Sequence, residues 1–510
     1  MFKRLMPCVL LAVLAVSCML PAATPTPAPT VTPSIRGPYT PTAVTLQTST
    51  TVPTPAPATA PSTAVLQATA TPAPSATPTA VPTPSGPPNV ILIVVDSLRA
   101  DHVSAYGYER PTTQNLDALI AAEGIRFDDA VSASPWTCPA NGALMSGRHP
   151  SSLGASWNSL NSSLPQEAAS LAEALHDAGY YTAGFVNNAC VDTNRGFAQG
   201  FDFFDDSQAA RKGADSNNKA RAFEVNALAT AWLESDWLAR PAAGDQPLFL
   251  FLYYMEPHVW YNPPAPYDTL YDDTYTGTLT SEVYGVGFDV VTGKIVPSAR
   301  DIEHVEALYD GEISYWDAHL GQLLGYLQSK GLLDNTLIVV TGDHGEAFGE
   351  HGKWVHGSAL YEEEVRVPLV MRYPGRIAPG QVVTTPVQSM DLMPTILEYA
   401  GATIPNDLQA VSLVPLAAGD RDMPLRDIYS ELDGLADEKH WGYWIAPRVN
   451  MRSIQRGEWK LIHYAGEGAT DELYRLQPGF PFETENLIGR EPTRVEELLQ
   501  TLAAWFHLEL

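Results

Sequence analysis

The chain is 510 residues long and carries 58 acidic against 30 basic side chains, 43 prolines and four cysteines. That charge balance argues against a nucleic-acid partner, because phosphate binding needs a basic footprint, but it leaves room for a small anionic substrate held through a metal ion. Four cysteines in so long a chain exclude a disulfide-framework fold.

Residues 1–18 read as an export signal. Lys3 and Arg4 precede an apolar run from Val9 to Val16, which is too short to span a bilayer as a mature helix. The run leads into Leu14-Ala15-Val16-Ser17-Cys18, which resembles a bacterial lipoprotein cleavage box. The expectation is a lipid anchor on Cys18, a membrane attachment, and a cell-envelope location facing outside the cytoplasm. Ordinary secretion, with cleavage near Ala23, is the alternative. From Pro21 to Pro88 there are 18 Pro and 18 Thr and no Asp, Glu or Lys. Such a segment buries too little apolar surface to offset its ordering entropy, so residues 19–88 are expected to form a disordered tether of polyproline II character. A glycosylated stalk is the second reading of the same composition.

From Asn89 onward strands and helices alternate. Asn89–Val95, Leu248–Tyr254 and Thr336–Val340 have the unbroken apolar runs of strands buried on both faces. Leu171, Leu175 and Ala178 sit at helical spacing before Gly179. Ile313, Leu320, Leu323, Leu324 and Leu327 do the same before Lys330-Gly331, a helix stop. The alternation predicts an α/β domain over 89–415, a large mostly parallel sheet sandwiched by helices, with ligands at the carboxyl ends of its strands. After Pro415 the texture changes. Asn450–Ile454, Trp459–Tyr464 and Glu472–Leu476 read as short antiparallel strands. The last helix is expected to open on a capping box of Thr493 and Glu496 and to bury Val495, Leu498, Leu499, Leu502 and Trp505. Residues 416–510 are therefore expected to form a smaller α+β subdomain.

The chemistry gathers at the strand ends. Asp96 follows the first run, and Asp343-His344 follows the Thr336 run after Thr341-Gly342. One such carboxylate commonly caps a helix, but two anions and an imidazole on one rim call for a cation. In the stretch from Ser134 to Arg148, Pro139 falls in a first helical turn and Gly147 is a stop, which sets Thr137 at or beside a helix N-terminus. A hydroxyl there either caps the helix or serves as a nucleophile toward an anionic ester, favoured by unpaired N–H groups and the helix dipole.

As a set these segments resemble the sulfatase-like branch of the alkaline phosphatase superfamily. The resemblance rests on Val94-Val-Asp96-Ser-Leu-Arg99-Ala-Asp101-His102, on 134–150 ending in Ser146-Gly-Arg-His-Pro150, and on Leu252-Tyr-Tyr-Met-Glu-Pro-His258. It continues through Thr341-Gly-Asp343-His344-Gly345-Glu346, Gly349-Glu-His351-Gly352, His356-Gly357 and Glu472-Leu-Tyr-Arg-Leu476. It implies a divalent metal held by Asp96, Thr137, Asp343 and His344. It also implies that His258 and His356 hold transferred oxygens or protonate the leaving group, with Asn141, Asn187 and His351 as further substrate contacts. Three oxygens and one nitrogen suit Mn²⁺, Zn²⁺ or Mg²⁺ better than Ca²⁺. A second metal on His258 or His356 would match binuclear relatives.

The sequence also departs from that family. Its formylglycine pattern is Cys (or Ser)-x-Pro-x-Arg; here Thr137 stands at the modified position, Asn141 at the arginine, and Cys138 is one residue out of register. Ser97 follows Asp96 where the family pairs two aspartates, Val186-Asn187-Asn188-Ala189 replaces a Gly-Lys-Trp-His element, and His356 replaces a lysine. The departures resemble relatives with a threonine nucleophile, phosphodiesterases and phosphoethanolamine transferases among them. They imply in-line attack by Thr137 on a phosphate mono- or diester. A sulfuric ester hydrolase, a phosphoryl transferase and an inactive binding protein on the same fold are the alternatives. Arg99 and Asp101 are expected to fix the first βα turn. Trp260, Tyr261, Tyr267 and Tyr271 either line the pocket or pack a surface loop. Whether Cys138 and Cys190 pair, and the oligomeric state, are left open.

Overall fold

The computed structural model describes residues 86–154, 162–209, 220–240, 246–279, 290, 293–420, 424–433, 450–466, 470–477 and 483–508. The export signal, Cys18 and all but the last three residues of the tether lie outside them. The described residues belong to one compact unit, Thr77–Leu510.

The strands in chain order are β1 (Asn89–Val95), β2 (Ile125–Val131), β3 (Tyr181–Val186), β4 (Phe203–Asp205), β5 (Leu248–Tyr254) and β6 (Thr336–Gly342), then β7 (Ala347–Phe348), β8 (Trp354–Val355), β9 (Arg366–Arg372), β10 (Gln381–Val383) and β11 (Val387–Gln388). Among the described residues, nine of these form one sheet in the order β10-β2-β9-β6-β1-β5-β3-β4, with β11 also on β2. Only β9 runs against its neighbours β2 and β6; the other pairings are parallel. The expected mostly parallel sheet is present.

The longer helices are α1 (Thr137–Ser146), α2 (Leu171–Asp177), α3 (Ala222–Trp232), α4 (Ala299–Ser329), α5 (Leu392–Ala400) and α6 (Pro492–Phe506). They cover both faces of the sheet. Val90, Leu92 and Val94 of β1 pack with Leu144, Leu171 and Ile396 on one side, while Ile91, Ile93 and Val95 pack with Val225, Ile313 and Leu320 on the other. That division is why β1 is apolar at every position. Helix α4 starts well before the periodic leucines. Ser298 accepts from the Asp301 N–H, and the Asp301 carboxylate accepts from the Ser298 N–H, closing a capping box.

Beyond the main sheet, β12 (Ile428–Leu432), β13 (Asn450–Arg456), β14 (Trp459–Ala465) and β15 (Glu472–Arg475) form an antiparallel sheet in sequence order. One face joins the main core through Ile428, Met451 and Ile462; the other packs Tyr429, Ile454, Leu461 and Leu473 against Leu498 and Leu502 of α6. Strand β12 was not among the expected strands. At the joint, the buried Lys460 ammonium donates to Glu362 Oε1 at 2.8 Å and Glu483 Oε1 at 2.7 Å.

Two expectations for α6 need correction. The helix begins at Pro492 with Glu491 at the N-cap and no side-chain cap, so Thr493 lies inside the first turn and no capping box forms. Proline's fixed φ suits the first helical position, and it pulls the start forward. Trp505 is not buried: it stacks flat on Tyr429, with ring centroids 4.4 Å apart, and keeps its outer face in solvent. Among the described residues no helix is long and apolar enough to cross a membrane.

Candidate active site

Strands β1 and β6 are parallel neighbours with Val95 opposite Gly342, so the next residues, Asp96 and Asp343, leave the sheet at the same rim. Both carboxylates are buried. Four donors hold Asp343: the Ser97 and His344 backbone N–H groups on Oδ1 at 3.1 and 2.9 Å, and Asn141 Nδ2 and the Tyr253 hydroxyl on Oδ2 at 2.9 and 2.8 Å. Asp96 accepts from Ser97 Oγ at 3.2 Å and from Asn188 Nδ2 at 2.6 Å. To aim its N–H at Asp343, Ser97 adopts a left-handed conformation at φ 59, a backbone cost typical of functional turns. Ligand atoms of Asp96, Asp343 and His344 lie within 4.8 Å of one another.

Thr137 is the first residue of α1, after Trp136 in extended conformation, and Gly147 ends the helix at φ 65. The hydroxyl therefore sits among first-turn N–H groups without helical partners. Its Oγ1 lies 3.2 Å from His344 Nε2. The His344 Nδ1 faces the Gly345 carbonyl at 2.8 Å; a carbonyl only accepts, so Nδ1 carries the proton. Burial, the largest influence, lowers the His344 pKa against the pull of Asp343, which leaves a neutral ring with its Nε2 lone pair turned to the cluster. One turn into α1, Asn141 donates to the Thr137 carbonyl at 2.9 Å as well as to Asp343. The turn after Asp343 needs glycine, since a Cβ at Gly345 would stand 2.1 Å from the Glu363 carbonyl oxygen.

A second tier of histidines faces this cluster. The His356 ring lies 4.4 Å from His344 and 4.8 Å from His258, centroid to centroid. His356 Nδ1 donates to Glu346 Oε1 at 3.0 Å. Burial opposes its charged form, but the Glu346 and Asp96 carboxylates overcome that and raise its pKa to about 9. His258 is oriented by an Nδ1 contact with the Val259 carbonyl at 2.7 Å. The loop carrying Glu346 is tied to the first turn by Arg99, which donates to the Glu346 carbonyl, to Glu350 and, through two bonds, to Asp101.

Asp96, Thr137, Asn141, Asp343 and His344 thus come together, with His356 and His258 beside them. His351 lies elsewhere. Its Nδ1 meets Glu363 at 2.8 Å, its Nε2 meets the Glu483 carbonyl at 2.7 Å, and its ring stacks on Tyr361 at the joint with the C-terminal sheet. Asn187 is buried and donates to the Ala220 carbonyl; its neighbour Asn188 reaches Asp96. Sequence reasoning did not single out Asn188, Tyr253 or Glu346. Cys138 and Cys190 form a disulfide across 52 residues. Tyr261 packs against Tyr309 and Phe348, and Tyr267 against Tyr315 of α4, so this part of the aromatic cluster packs its loop.

Among the described residues neither Asp96 nor Asp343 has a Lys or Arg partner. Burial and then the Asp343 charge push the Asp96 pKa well above the usual carboxylate range, although the His356 imidazolium pulls it down, as expected of two buried anions set close together. Two carboxylates, an imidazole lone pair and an adjacent hydroxyl make a donor set that fits a small divalent metal.

A helix-covered α/β sheet with a hydroxyl, an imidazole and two carboxylates at its strand ends has the form of an alkaline phosphatase-type hydrolase. Residues 88–402 match the sulfatase family and residues 349–506 match the C-terminal region of N-sulphoglucosamine sulphohydrolase. The chain belongs to the sulfatase family and is a hydrolase of that family. It is 27% identical over 413 residues to an arylsulfatase of Clostridium perfringens, covering 69% of this chain and 83% of the relative. It is 28% identical over 449 residues to a choline-sulfatase of Rhizobium meliloti, covering 79% and 83%. Its fold matches that of a phosphonate monoester hydrolase of Agrobacterium radiobacter with a TM-score of 0.65 at 23% identity, covering 82% of this chain and 96% of the other.

Proposed function

We propose that the protein is a metal-dependent hydrolase of phosphate mono- and diesters in which Thr137, unmodified, attacks phosphorus in line. The observation that carries this reading is the Thr137 hydroxyl at the start of α1, 3.2 Å from the lone pair of His344 Nε2 and beside the two buried carboxylates. Asp96, Asp343, His344 and Thr137 Oγ1 would hold the metal, with Mn²⁺, Zn²⁺ or Mg²⁺ best suited to the set. Bound there, it would supply positive charge that lowers the hydroxyl pKa and balances charge developing on the transferred group.

The chain's own groups account for the rest. Thr137, its proton released to solvent before attack, forms the new O–P bond as the bond to the leaving oxygen breaks. His356, held protonated by Glu346, donates a proton to that oxygen; His258 is the nearest second donor. Water then attacks the phosphothreonine, passing a proton to the now neutral His356, and the bond from phosphorus to Thr137 Oγ1 breaks to free Thr137. An alcohol in place of water would make the same chain a transferase. Asn141 and Asn188 hold Asp343 and Asp96 in place through both steps.

Sulfate esters are the second reading, favoured by the relatives named as arylsulfatase and choline-sulfatase. Parallel assays of the purified protein on aryl phosphate, bis-aryl phosphate and aryl sulfate, each with Mn²⁺, Zn²⁺, Mg²⁺ or Ca²⁺, decide between them. Turnover of the phosphate esters with an unmodified Thr137-Cys138 peptide is expected. Turnover of aryl sulfate alone, with an aldehyde at position 138, overturns the proposal. We also place the protein outside the cytoplasm, tethered by 19–88 to a lipid on Cys18, because the first 18 residues have the layout of a lipoprotein signal.

A further inference from the structure

We propose that the Cys138–Cys190 disulfide and Asn188 act as one positioning unit that fixes the Asp96 carboxylate relative to the Thr137 hydroxyl. The inference rests on the reading of Thr137 as nucleophile and Asp96 as metal ligand. Cys138 directly follows Thr137 in the first turn of α1 and is fully buried; Cys190, also buried, lies in the short turn Ala189–Val191 after β3. The disulfide joins these two segments. Asn188 opens the second segment. Its Oδ1 accepts from the Cys190 N–H at 2.7 Å, and its Nδ2 donates to Asp96 Oδ2 at 2.6 Å. Asp96 Oδ1 stands 3.4 Å from His344 Nε2, which stands 3.2 Å from Thr137 Oγ1.

The contacts therefore close a ring: hydroxyl, disulfide, asparagine amide, carboxylate, imidazole and back to the hydroxyl. Both ends of the Asn188 amide are committed, so its orientation follows from the position of Cys190. That position is pinned to the residue after the nucleophile. A domain with a core this large does not need a disulfide to fold. Cys138, Cys190 and Val191 also belong to the main apolar cluster with Leu144 and Val186, so packing alone would keep the two segments near each other. What the covalent bond adds is precision at the site. Partners that orient metal-binding carboxylates typically change metal affinity or activity by about 10–100-fold when removed, and misplacement by about 1 Å costs on the order of 100-fold in rate.

The test uses the full chain and two variants, Asn188→Ala and the double change Cys138→Ala with Cys190→Ala, with Thr137→Ala as reference. Mn²⁺ affinity is read by titration calorimetry without substrate, and kcat and KM are read on bis-aryl phosphate. Asn188→Ala should weaken Mn²⁺ binding about 10–100-fold, with turnover recovering at saturating metal. The disulfide-free protein should lose at least about tenfold in kcat with little change in KM. Combining the changes should cost less than the sum, because they break one ring. Wild-type Mn²⁺ affinity in Asn188→Ala overturns the inference, and this variant keeps the disulfide if the double variant does not fold. Wild-type kcat in a folded disulfide-free protein overturns it as well. Full turnover in Thr137→Ala instead sinks the nucleophile reading on which the inference rests, and so overturns it too.

Discussion

Asp96→Asn should stabilise the metal-free protein and abolish its response to added metal. The ligand atoms of Asp96, Asp343 and His344 lie within 4.8 Å of one another, and both carboxylates are buried. Two unit charges at that separation repel by about 3 kcal/mol at an effective dielectric constant of ~20. With an unfolding entropy of ~2.1 cal/mol/K per residue over ~420 residues, that corresponds to a melting shift of about 3–4 °C. Asparagine keeps an oxygen to accept from the Asn188 amide and loses only the charge. The raised pKa lets Asp96 relieve the repulsion by taking up a proton. A carboxylate raised in the folded state stabilises at low pH and loses that contribution as pH rises, so the gain from Asp96→Asn should be largest near pH 8 and shrink toward pH 5. Scanning calorimetry in chelator and in Mn²⁺ reads both effects. In chelator the variant should melt about 3 °C above wild type. Mn²⁺ at ~100 times its Kd should stabilise wild type by about 2.7 kcal/mol and leave the variant unmoved. A variant that melts below wild type in chelator, or gains equally from Mn²⁺, refutes the reasoning.

Thr137→Ala should remove turnover by several orders of magnitude without lowering the melting temperature, while Thr137→Ser retains part of the activity; intact-mass spectrometry should show position 137 unmodified before substrate and phosphorylated after an acid quench. Burial raises the Glu431 pKa to about 7 despite Arg452. Its stabilising contribution is complete near pH 4 and lost as pH rises through 7, so Glu431→Gln should flatten the fall in stability between pH 5 and 8 by up to about 3 kcal/mol, measured by urea unfolding. A slope unchanged by the substitution would count against that environment. Removing residues 1–85 should leave the melting temperature as it was and release the protein from the cell envelope; a truncated chain that stays membrane-bound contradicts the tether.

Most of the site was legible because its members sit where local signals are strong. Asp96 and Asp343 follow apolar runs with no other plausible end, and Thr137 lies between a first-turn proline and a helix-stopping glycine. The residues that escaped notice owe their roles to contacts between distant segments. Tyr253 and Tyr254 both lie in β5, apolar at every position, so no alternation tells which hydroxyl faces which side; the fold sends Tyr253 to Asp343 and Tyr254 to Asn226. Asn187 and Asn188 are adjacent and chemically identical, and only the turn after β3 decides that the second one reaches Asp96. The reversed direction of β9 and the pairing of Cys138 with a partner 52 residues away likewise have no local signature. His351 has a motif neighbourhood like that of His356, but Tyr361 takes up its ring, Glu363 its Nδ1 and the Glu483 carbonyl of the C-terminal segment its Nε2.

The charge arrangement at the rim explains how a chain with a formal net charge of -28 can take an anionic ester. The overall field repels such a substrate at long range, but screening limits that field to about 8–10 Å at physiological salt. Inside the rim the local balance governs. A divalent cation would cancel Asp96 and Asp343, and His356 and Glu346 form a near-neutral pair whose imidazole carries the donor. No Lys or Arg side chain is among the hydrogen-bond partners of Asp96, Asp343 or His344 in the described residues, so this cluster has no surplus positive charge and each further negative charge on the substrate adds to the cost. A singly charged phosphodiester therefore brings one uncompensated charge into a buried pocket, whereas a doubly charged monoester brings two. On the proposed chemistry, diester turnover should exceed monoester turnover in kcat/KM, and the gap should narrow as pH falls toward 6, where the monoester takes up its second proton. A monoester preference that persists at pH 8 would mean that a cationic group outside this cluster faces the substrate.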